Sequence, residues 1–161
     1  MSISGRNSGP IEIVDRRLNV SKTCGARPPF LQQTAPGATT VLLIRHAHTH
    51  AIGVRLTGRM RGVTLSAAGR SQWEGLGRAI AAGFRLAVIY TSPLERAVET
   101  AHALAVHACV PVQLCDELIE CDFGDWTGKR FDELEADPRW RGVNRSRSTA
   151  VLPRGEDPVE V

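Results

Sequence analysis

Three short apolar runs along the chain predict buried strands. Residues 41–44 are Val, Leu, Leu and Ile, and they lead into the polar pair Arg45-His46. Residues 86–90 and 110–114 are two further short, mostly apolar runs. Strands covered on both faces have nearly continuous apolar sequences, as the parallel strands of α/β proteins do. We therefore expect three strands of a parallel sheet.

Residues at helical spacing lie between these runs. Ser66 is a favourable N-cap for a helix that extends to about residue 82. The apolar stripe of this helix is Trp73, Leu76 and Ile80. A second helix is predicted from Pro93, because Ser92 and Glu95 form a capping box around it and proline is favoured at the first helical position.

The order strand, helix, strand, helix, strand is typical of a parallel α/β sheet. A further short helix is predicted over residues 131–136, where Asp137-Pro138 stops it. Residues 1–38 contain scattered Pro and Gly without a sustained apolar period, so we expect a disordered N-terminal leader there. The folded domain is then expected over residues 39–161, a length that agrees with one domain.

Charge is distributed unevenly along this domain. Residues 41–115 carry eight Arg and three acidic residues, whereas residues 116–137 carry two basic and nine acidic residues. Such a distribution suits a small anionic substrate bound by arginines, because a nucleic-acid groove needs a continuous basic stripe. We therefore expect no nucleic-acid partner.

The N-terminal residues and the cysteines indicate the cellular compartment of the protein. No run approaches the roughly 18 apolar residues of a membrane helix, and the first ten residues lack the apolar core of a signal peptide. We expect a cytoplasmic protein without membrane association. The four cysteines form no Cys-x-x-Cys pair, so we expect them to be reduced thiols. They are Cys24, Cys109, Cys115 and Cys121.

Polar residues at two predicted strand ends are candidates for chemistry, since ligands of α/β sheets bind at the carboxyl ends of strands. Arg45-His46 follows the first strand, and Arg96 lies in the first turn of the helix that follows the second. Two guanidinium groups beside a helix N-terminus make a pocket for a phosphate or a carboxylate. His46 is then the candidate nucleophile, because a neutral imidazole can attack phosphorus.

Four motifs in sequence order resemble those of the histidine phosphatase superfamily, in its phosphoglycerate-mutase-like branch. They are residues 41–47 (VLLIRHA), 65–70 (LSAAGR), 92–97 (SPLERA) and 120–128 (ECDFGDWTG). Residues 154–158 (RGEDP) are similar to the Gly-Glu-Ser segment of that family. The resemblance implies a three-layer α/β/α fold with a mostly parallel sheet.

The same resemblance implies an enzyme, a phosphomonoester hydrolase that acts on a small phosphorylated substrate through a phosphohistidine. It implies His46 as the phosphoryl acceptor, Arg45 and Arg96 as phosphate-binding residues, and Glu120 as the proton donor to the leaving oxygen. No cofactor and no metal ion are expected. Three histidines at alternate positions, His46, His48 and His50, resemble a zinc site, but the C-terminal third has no further His to complete one.

The chain departs from the family at two positions. Ile52 stands where the family usually has an Asn, and no His follows His107, whereas the family has a second catalytic His on a later strand. The chain is therefore expected to be either a C-terminally truncated fragment or a degenerate member. The alternative functions are a non-catalytic phosphate-binding remnant or scaffold and a phosphoglycerate-mutase-type phosphotransferase.

The second departure also has a structural consequence. In the family, the strand that bears the second His lies between the strands that correspond to residues 41–44 and 86–90. We therefore expect both strands to lack a hydrogen-bonded neighbour, to expose apolar edges and to make the chain poorly soluble.

Overall fold

The computed structural model describes residues 11–15, 20–24, 39–145 and 152–156, which form an α/β arrangement. The strands are β1 (Ile11–Asp15), β2 (Val20–Cys24), β3 (Ile89–Thr91) and β4 (Val112–Leu114). The helices are α1 (Ala67–Gly83), α2 (Glu95–Ala108), α3 (Phe131–Glu135) and α4 (Pro138–Arg145). Two short 3-10 turns, Asp116–Leu118 and Gly124–Trp126, lie between β4 and α3.

The parallel pair β3 and β4 confirms two of the three predicted strands in shorter form. Ile89 lies opposite Val112 and Thr91 opposite Leu114, and α2 connects the two strands. This β-α-β unit places the carboxyl end of β3 directly before the N-terminus of α2. The residues between them, Ser92 to Leu94, therefore lie at the edge where a ligand of such a sheet is expected.

The third predicted strand is wrong: residues 41–44 form no strand, and no described residue pairs with their backbone. Val41 and Leu43 are 72% and 93% exposed. An apolar run becomes a strand only where another strand offers its N–H and C=O groups, and the described part of the chain offers none beside this run. Among the described residues this run therefore lacks the hydrogen-bonded neighbour that a strand requires, and it has no strand geometry.

The first predicted helix is confirmed, and the second begins later than predicted. Ser66 is the N-cap of α1, and its Oγ accepts a hydrogen bond from the Gly69 amide at 3.0 Å. The N-cap of α2 is Leu94, not Ser92. The predicted capping box is wrong because the Ser92 hydroxyl accepts from the Leu94 amide, two residues along the chain, and so stabilises a turn before the helix.

The first core cluster lies between α1 and α2. It contains Trp73 from α1, Leu104 from α2 and Ala47 from the segment that follows residues 41–44. The two helices are in van der Waals contact at Gly77, where the position of a Cβ would lie 3.7 Å from the Leu104 Cα. The burial of Ala47 in this cluster fixes the position of the preceding residue, His46.

The second core cluster lies around Trp126, which is 0% exposed. Leu134 from α3, Val143 from α4 and Leu152 complete its buried set. The predicted helix end at Asp137 is confirmed, and Pro138 then starts α4 at a position that suits proline. This cluster supports the segment that carries Glu120.

An antiparallel hairpin lies within residues 1–38, where a disordered leader was expected. Ile11 of β1 pairs with Cys24 of β2, and Asp15 pairs with Val20. Both segments are rich in β-branched residues, which favour strands even where no long apolar period exists. The domain boundary near residue 39 remains a prediction.

The expectation of four reduced cysteines is wrong for Cys109, which is disulfide-bonded, whereas Cys115 and Cys121 are free. Disulfide formation depends on the distance between two Cα atoms in the fold, and a search for Cys-x-x-Cys pairs does not measure that distance. Within the described residues, no helix combines the length and the apolar character needed to cross a membrane.

Candidate active site

The position of His46 is fixed by the residue after it. The Ala47 amide donates a hydrogen bond to the Thr100 Oγ at 3.1 Å, and the same hydroxyl donates to the Arg96 carbonyl at 2.8 Å. Thr100 thereby joins the His46 segment to the first turns of α2. The sequence analysis did not identify this role of Thr100, which follows the third motif. A hydroxyl that bridges two backbone groups has no sequence pattern of its own.

The imidazole of His46 has the tautomer and charge that a nucleophile needs. Its Nδ1 lies 2.8 Å from the Ala47 carbonyl oxygen, and since a carbonyl only accepts, Nδ1 carries the proton. Burial lowers the pKa of His46 below 6.5, and the positive charges of Arg96 and Arg45 lower it further. The Ala47 carbonyl and the Glu120 carboxylate oppose this shift. The neutral ring therefore has its lone pair at Nε2.

Arg96 is a buried cation with an unused donor. The residue is 3% exposed, and its Nη2 donates to the Gly58 carbonyl at 2.9 Å. Its Nη1 has no hydrogen-bond partner among the described residues. Burial lowers the pKa of Arg96, while Glu120 and Glu95 raise it. A buried guanidinium with a free N–H group is a site for an anion, because an unpaired buried donor is costly until a ligand oxygen accepts from it.

Arg45 and Glu120 lie on the exposed side of the same site. Arg45 lowers the pKa of His46, and Glu120 raises it. The Glu120 Oε1 accepts a hydrogen bond from the Cys121 amide at 3.0 Å, within its own loop. The structure thus brings together all four residues that the sequence analysis selected.

These four residues line one groove of about 1010 Å3. Residues 39–46 and 84–92 line the groove, together with residues of α2 and of the segment 115–120. Most of the remaining lining is apolar, from residues such as Leu43, Ile89 and Leu104. The cationic groups are therefore the polar end of a mostly apolar groove, an arrangement typical of small-molecule sites.

The zinc alternative finds no support in the geometry. The His48 Nδ1 forms a hydrogen bond of 3.0 Å with the Ser66 Oγ, which directs that ring toward the N-cap of α1. In the part of the chain that the structure describes, no three His, Cys, Asp or Glu side chains are grouped as metal ligands. Ile52, where the family usually has an Asn, is exposed and does not line the groove.

Comparisons with known proteins agree with the sequence motifs. The sequence profile of the histidine phosphatase superfamily (branch 1) matches residues 41–161. The bifunctional protein Rv2228c of Mycobacterium tuberculosis is 33% identical over 125 residues, an alignment that covers 73% of this chain and 32% of that protein.

Two solved structures resemble this chain closely enough to compare folds. YhfR of Bacillus stearothermophilus has a TM-score of 0.64 and 32% identity, over 70% of this chain and 56% of that one. The mycobacterial glucosyl-3-phosphoglycerate phosphatase Rv2419c has a TM-score of 0.60 and 26% identity, over 71% of this chain and 56% of that one. The chain thus spans about a third of the curated relative and little more than half of each solved structure.

Proposed function

This chain belongs to the histidine phosphatase superfamily (branch 1), and from that membership we propose that its site hydrolyses phosphomonoesters through a phosphohistidine on His46. The resemblance found in the sequence is confirmed, as is the phosphoglycerate-mutase-like α/β fold class. One of the similar solved structures is a glucosyl-3-phosphoglycerate phosphatase, which supports a small phosphorylated substrate.

One observation carries the proposal: the unpartnered Nη1 of buried Arg96 lies in the same groove as the neutral imidazole of His46. A phosphoryl oxygen that accepts from this Nη1 would satisfy the buried donor. Arg45 would bind a second phosphoryl oxygen from the exposed side of the groove. The developing negative charge of the transferred group would then lie between two guanidinium groups, an arrangement that stabilises the transition state.

The reaction has two steps. In the first, the His46 Nε2 attacks phosphorus, the N–P bond forms, and the bond from phosphorus to the ester oxygen breaks. Glu120, which must be protonated in the enzyme–substrate complex, donates its proton to that oxygen, so the product leaves as a neutral alcohol. The ring becomes positively charged, and its Nδ1–H continues to donate to the Ala47 carbonyl, which stabilises that charge.

In the second step, water attacks the phosphorus of the phosphohistidine. The Glu120 carboxylate accepts a proton from that water, and the N–P bond breaks. Its electron pair returns to Nε2. Inorganic phosphate leaves, and His46 and Glu120 regain their starting protonation states. Each proton transfer in this scheme is assigned to a side chain that lines the groove.

The experiment is a brief pulse with an aryl phosphate in the presence of EDTA, followed by mass spectrometry under conditions that preserve acid-labile phosphoadducts. We expect an adduct in the wild type and in Arg70→Ala, an exposed arginine paired with Glu99, but none in His46→Ala. In Arg96→Ala the adduct should form about 100-fold more slowly, because loss of one preorganised donor costs roughly 3 kcal/mol.

Two results would contradict the proposal. An adduct that persists in His46→Ala would place the phosphoryl group on another residue. Loss of the adduct in EDTA with recovery in zinc would favour the metal site of His46, His48 and His50.

Non-catalytic phosphate binding is a second candidate, favoured by one observation: the unpartnered Nη1 of buried Arg96 can bind an anion without any reaction at His46. Isothermal titration with vanadate, a phosphate analogue, distinguishes the two functions. Vanadate binding that requires Arg96, without any phosphoadduct on His46, would support the binding function. An adduct on His46 would support the enzyme.

A further inference from the structure

We propose that Arg59 and Glu156 are positioning residues that fix the backbone of Glu120 at the distance from Arg96 needed for proton donation. This inference rests on the proposed function, since it concerns the proton donor of that reaction. The sequence analysis selected neither residue for a role in the site.

The Arg59 side chain binds the backbone of Glu120, the proposed proton donor. The Arg59 Nε donates to the Glu120 carbonyl at 2.6 Å. Of the described residues outside the segment 116–126, Arg59 is the one whose side chain forms a hydrogen bond with Glu120. The Glu120 side chain is exposed, and among the described residues its carboxylate accepts only from the neighbouring Cys121 amide, so its direction depends on where the backbone is placed.

Glu156 fixes both Arg59 and the loop. Its carboxylate pairs with the Arg59 guanidinium, and its Oε2 accepts from the Asp122 amide at 3.0 Å. In return, the Glu156 amide donates to the Asp122 carbonyl at 2.9 Å. Glu156 therefore binds the loop two residues after Glu120 and, at the same time, orients the guanidinium that binds Glu120 itself.

A further hydrogen bond connects the Arg59 segment to Arg96. Gly58, directly before Arg59, accepts from the Arg96 Nη2 through its carbonyl. Gly58 has φ of +45°, and a Cβ there would lie 3.0 Å from the Phe123 Cδ2. The 58–59 peptide thus lies tightly between the buried cation and the loop of Glu120. Arg96 and Glu120 are thus connected through two hydrogen bonds, one to the Gly58 carbonyl and one from the Arg59 Nε.

The position of Glu120 affects the hydrolysis of esters with poor leaving groups more than the hydrolysis of esters with good leaving groups. An ester with a poor leaving group, such as phenyl phosphate, needs protonation of the departing oxygen, whereas 2,4-dinitrophenyl phosphate does not. Misplacement of Glu120 should therefore slow the first substrate selectively. Phosphate binding by Arg45 and Arg96 should be unaffected.

The test compares kcat/KM for the two esters in Arg59→Ala and Glu156→Gln. We expect a loss of about tenfold or more with phenyl phosphate, within the range for general acid catalysis, and less than about threefold with 2,4-dinitrophenyl phosphate. The matched control is Arg154→Ala, two residues from Glu156, whose exposed side chain pairs with Asp125 instead. It should change neither value.

Equal losses on both esters would overturn the inference, because they would indicate general damage to the site. A second readout does not depend on turnover: exchange of the Asp122 amide hydrogen, followed by NMR, should accelerate in Arg59→Ala and not in Arg154→Ala. Unchanged exchange in Arg59→Ala would also overturn the inference. If the wild type hydrolyses neither ester, the proposed function fails, and the exchange result alone decides whether Arg59 and Glu156 fix the loop.

Discussion

At the scale of single residues, the charge of His46 decides whether the site can act. Burial lowers its pKa below 6.5, so the neutral, nucleophilic ring persists to lower pH than an exposed histidine allows. We expect an NMR titration of the His46 imidazole to have its midpoint below 6.5. Glu120→Gln should lower the midpoint further, because the Glu120 charge raises this pKa.

The His46→Ala variant identifies the resonance and serves as the control. A midpoint above 6.5 would mean that burial and the two arginines do not dominate the electrostatics of the ring, and an upward shift in Glu120→Gln would mean that the Glu120 charge does not raise this pKa. A midpoint above neutral pH would leave the ring mostly protonated there, and the role of His46 as nucleophile would fail.

The residues of the candidate site could be predicted from sequence where they follow a predicted strand or lie inside a motif. Arg45, His46, Arg96 and Glu120 were found in this way, and they line one groove. Thr100, Arg59 and Glu156 act through backbone groups, by accepting from or donating to peptides distant in sequence. Such contacts arise only when the chain is folded, since any polar side chain of suitable reach could make them.

At the scale of elements, helices were predicted better than strands. A helix satisfies its own backbone, so a cap such as Ser66 and an apolar stripe are sufficient to locate α1. A strand depends on a neighbour, and residues 41–44 have no partner among the described residues. The hairpin of β1 and β2 was missed because neither strand has a long apolar run. Each of the two strands is the hydrogen-bonding partner of the other.

The docking of the 152–156 segment on the 122–126 turn depends on glycine. Gly124 has φ of +52°, and a Cβ there would collide with the Pro153 carbonyl. We expect Gly124→Ala to displace the segment and to lower the free energy of unfolding by about 1–3 kcal/mol, as strained backbone positions do. Thermal or urea unfolding measures this loss.

The matched control is Gly75→Ala on α1, where a Cβ would meet nothing within 4 Å. Replacement of glycine by alanine in a helix should leave stability unchanged or raise it by about 0.5–1 kcal/mol. If Gly124→Ala is as stable as Gly75→Ala, the close approach of the two segments does not contribute to the fold.

At the scale of the whole molecule, the fold class could be predicted because motif order and the β-α-β pattern agree. The number of strands in the sheet could not be predicted from sequence, because it depends on which segments are available to pair. The groove is lined both by residues 39–46, of which 41–44 have no backbone partner among the described residues, and by residues of the β3–β4 pair. The charged residues of this groove form the candidate site, and part of its apolar lining, including Leu43 and Tyr90, is exposed.

That exposed apolar surface leads to the last prediction, which concerns association. Leu43 is 93% and Tyr90 57% exposed, and both line the groove. Unpaired backbone beside exposed apolar side chains is a template for pairing with another chain. We expect the 161-residue chain to bind the dye ANS and to self-associate in analytical ultracentrifugation. Leu43→Lys should increase the monomer fraction, because a charged side chain opposes edge pairing.

Leu76→Lys is the matched control for this prediction. Leu76 lies on α1, is 45% exposed and does not line the groove, so its replacement should leave association unchanged. If both lysine variants reduce association equally, added charge is responsible and the groove has no special role. If the wild type sediments as a monomer and binds no ANS, the unpaired edges are not accessible in solution, and the expected poor solubility would be wrong.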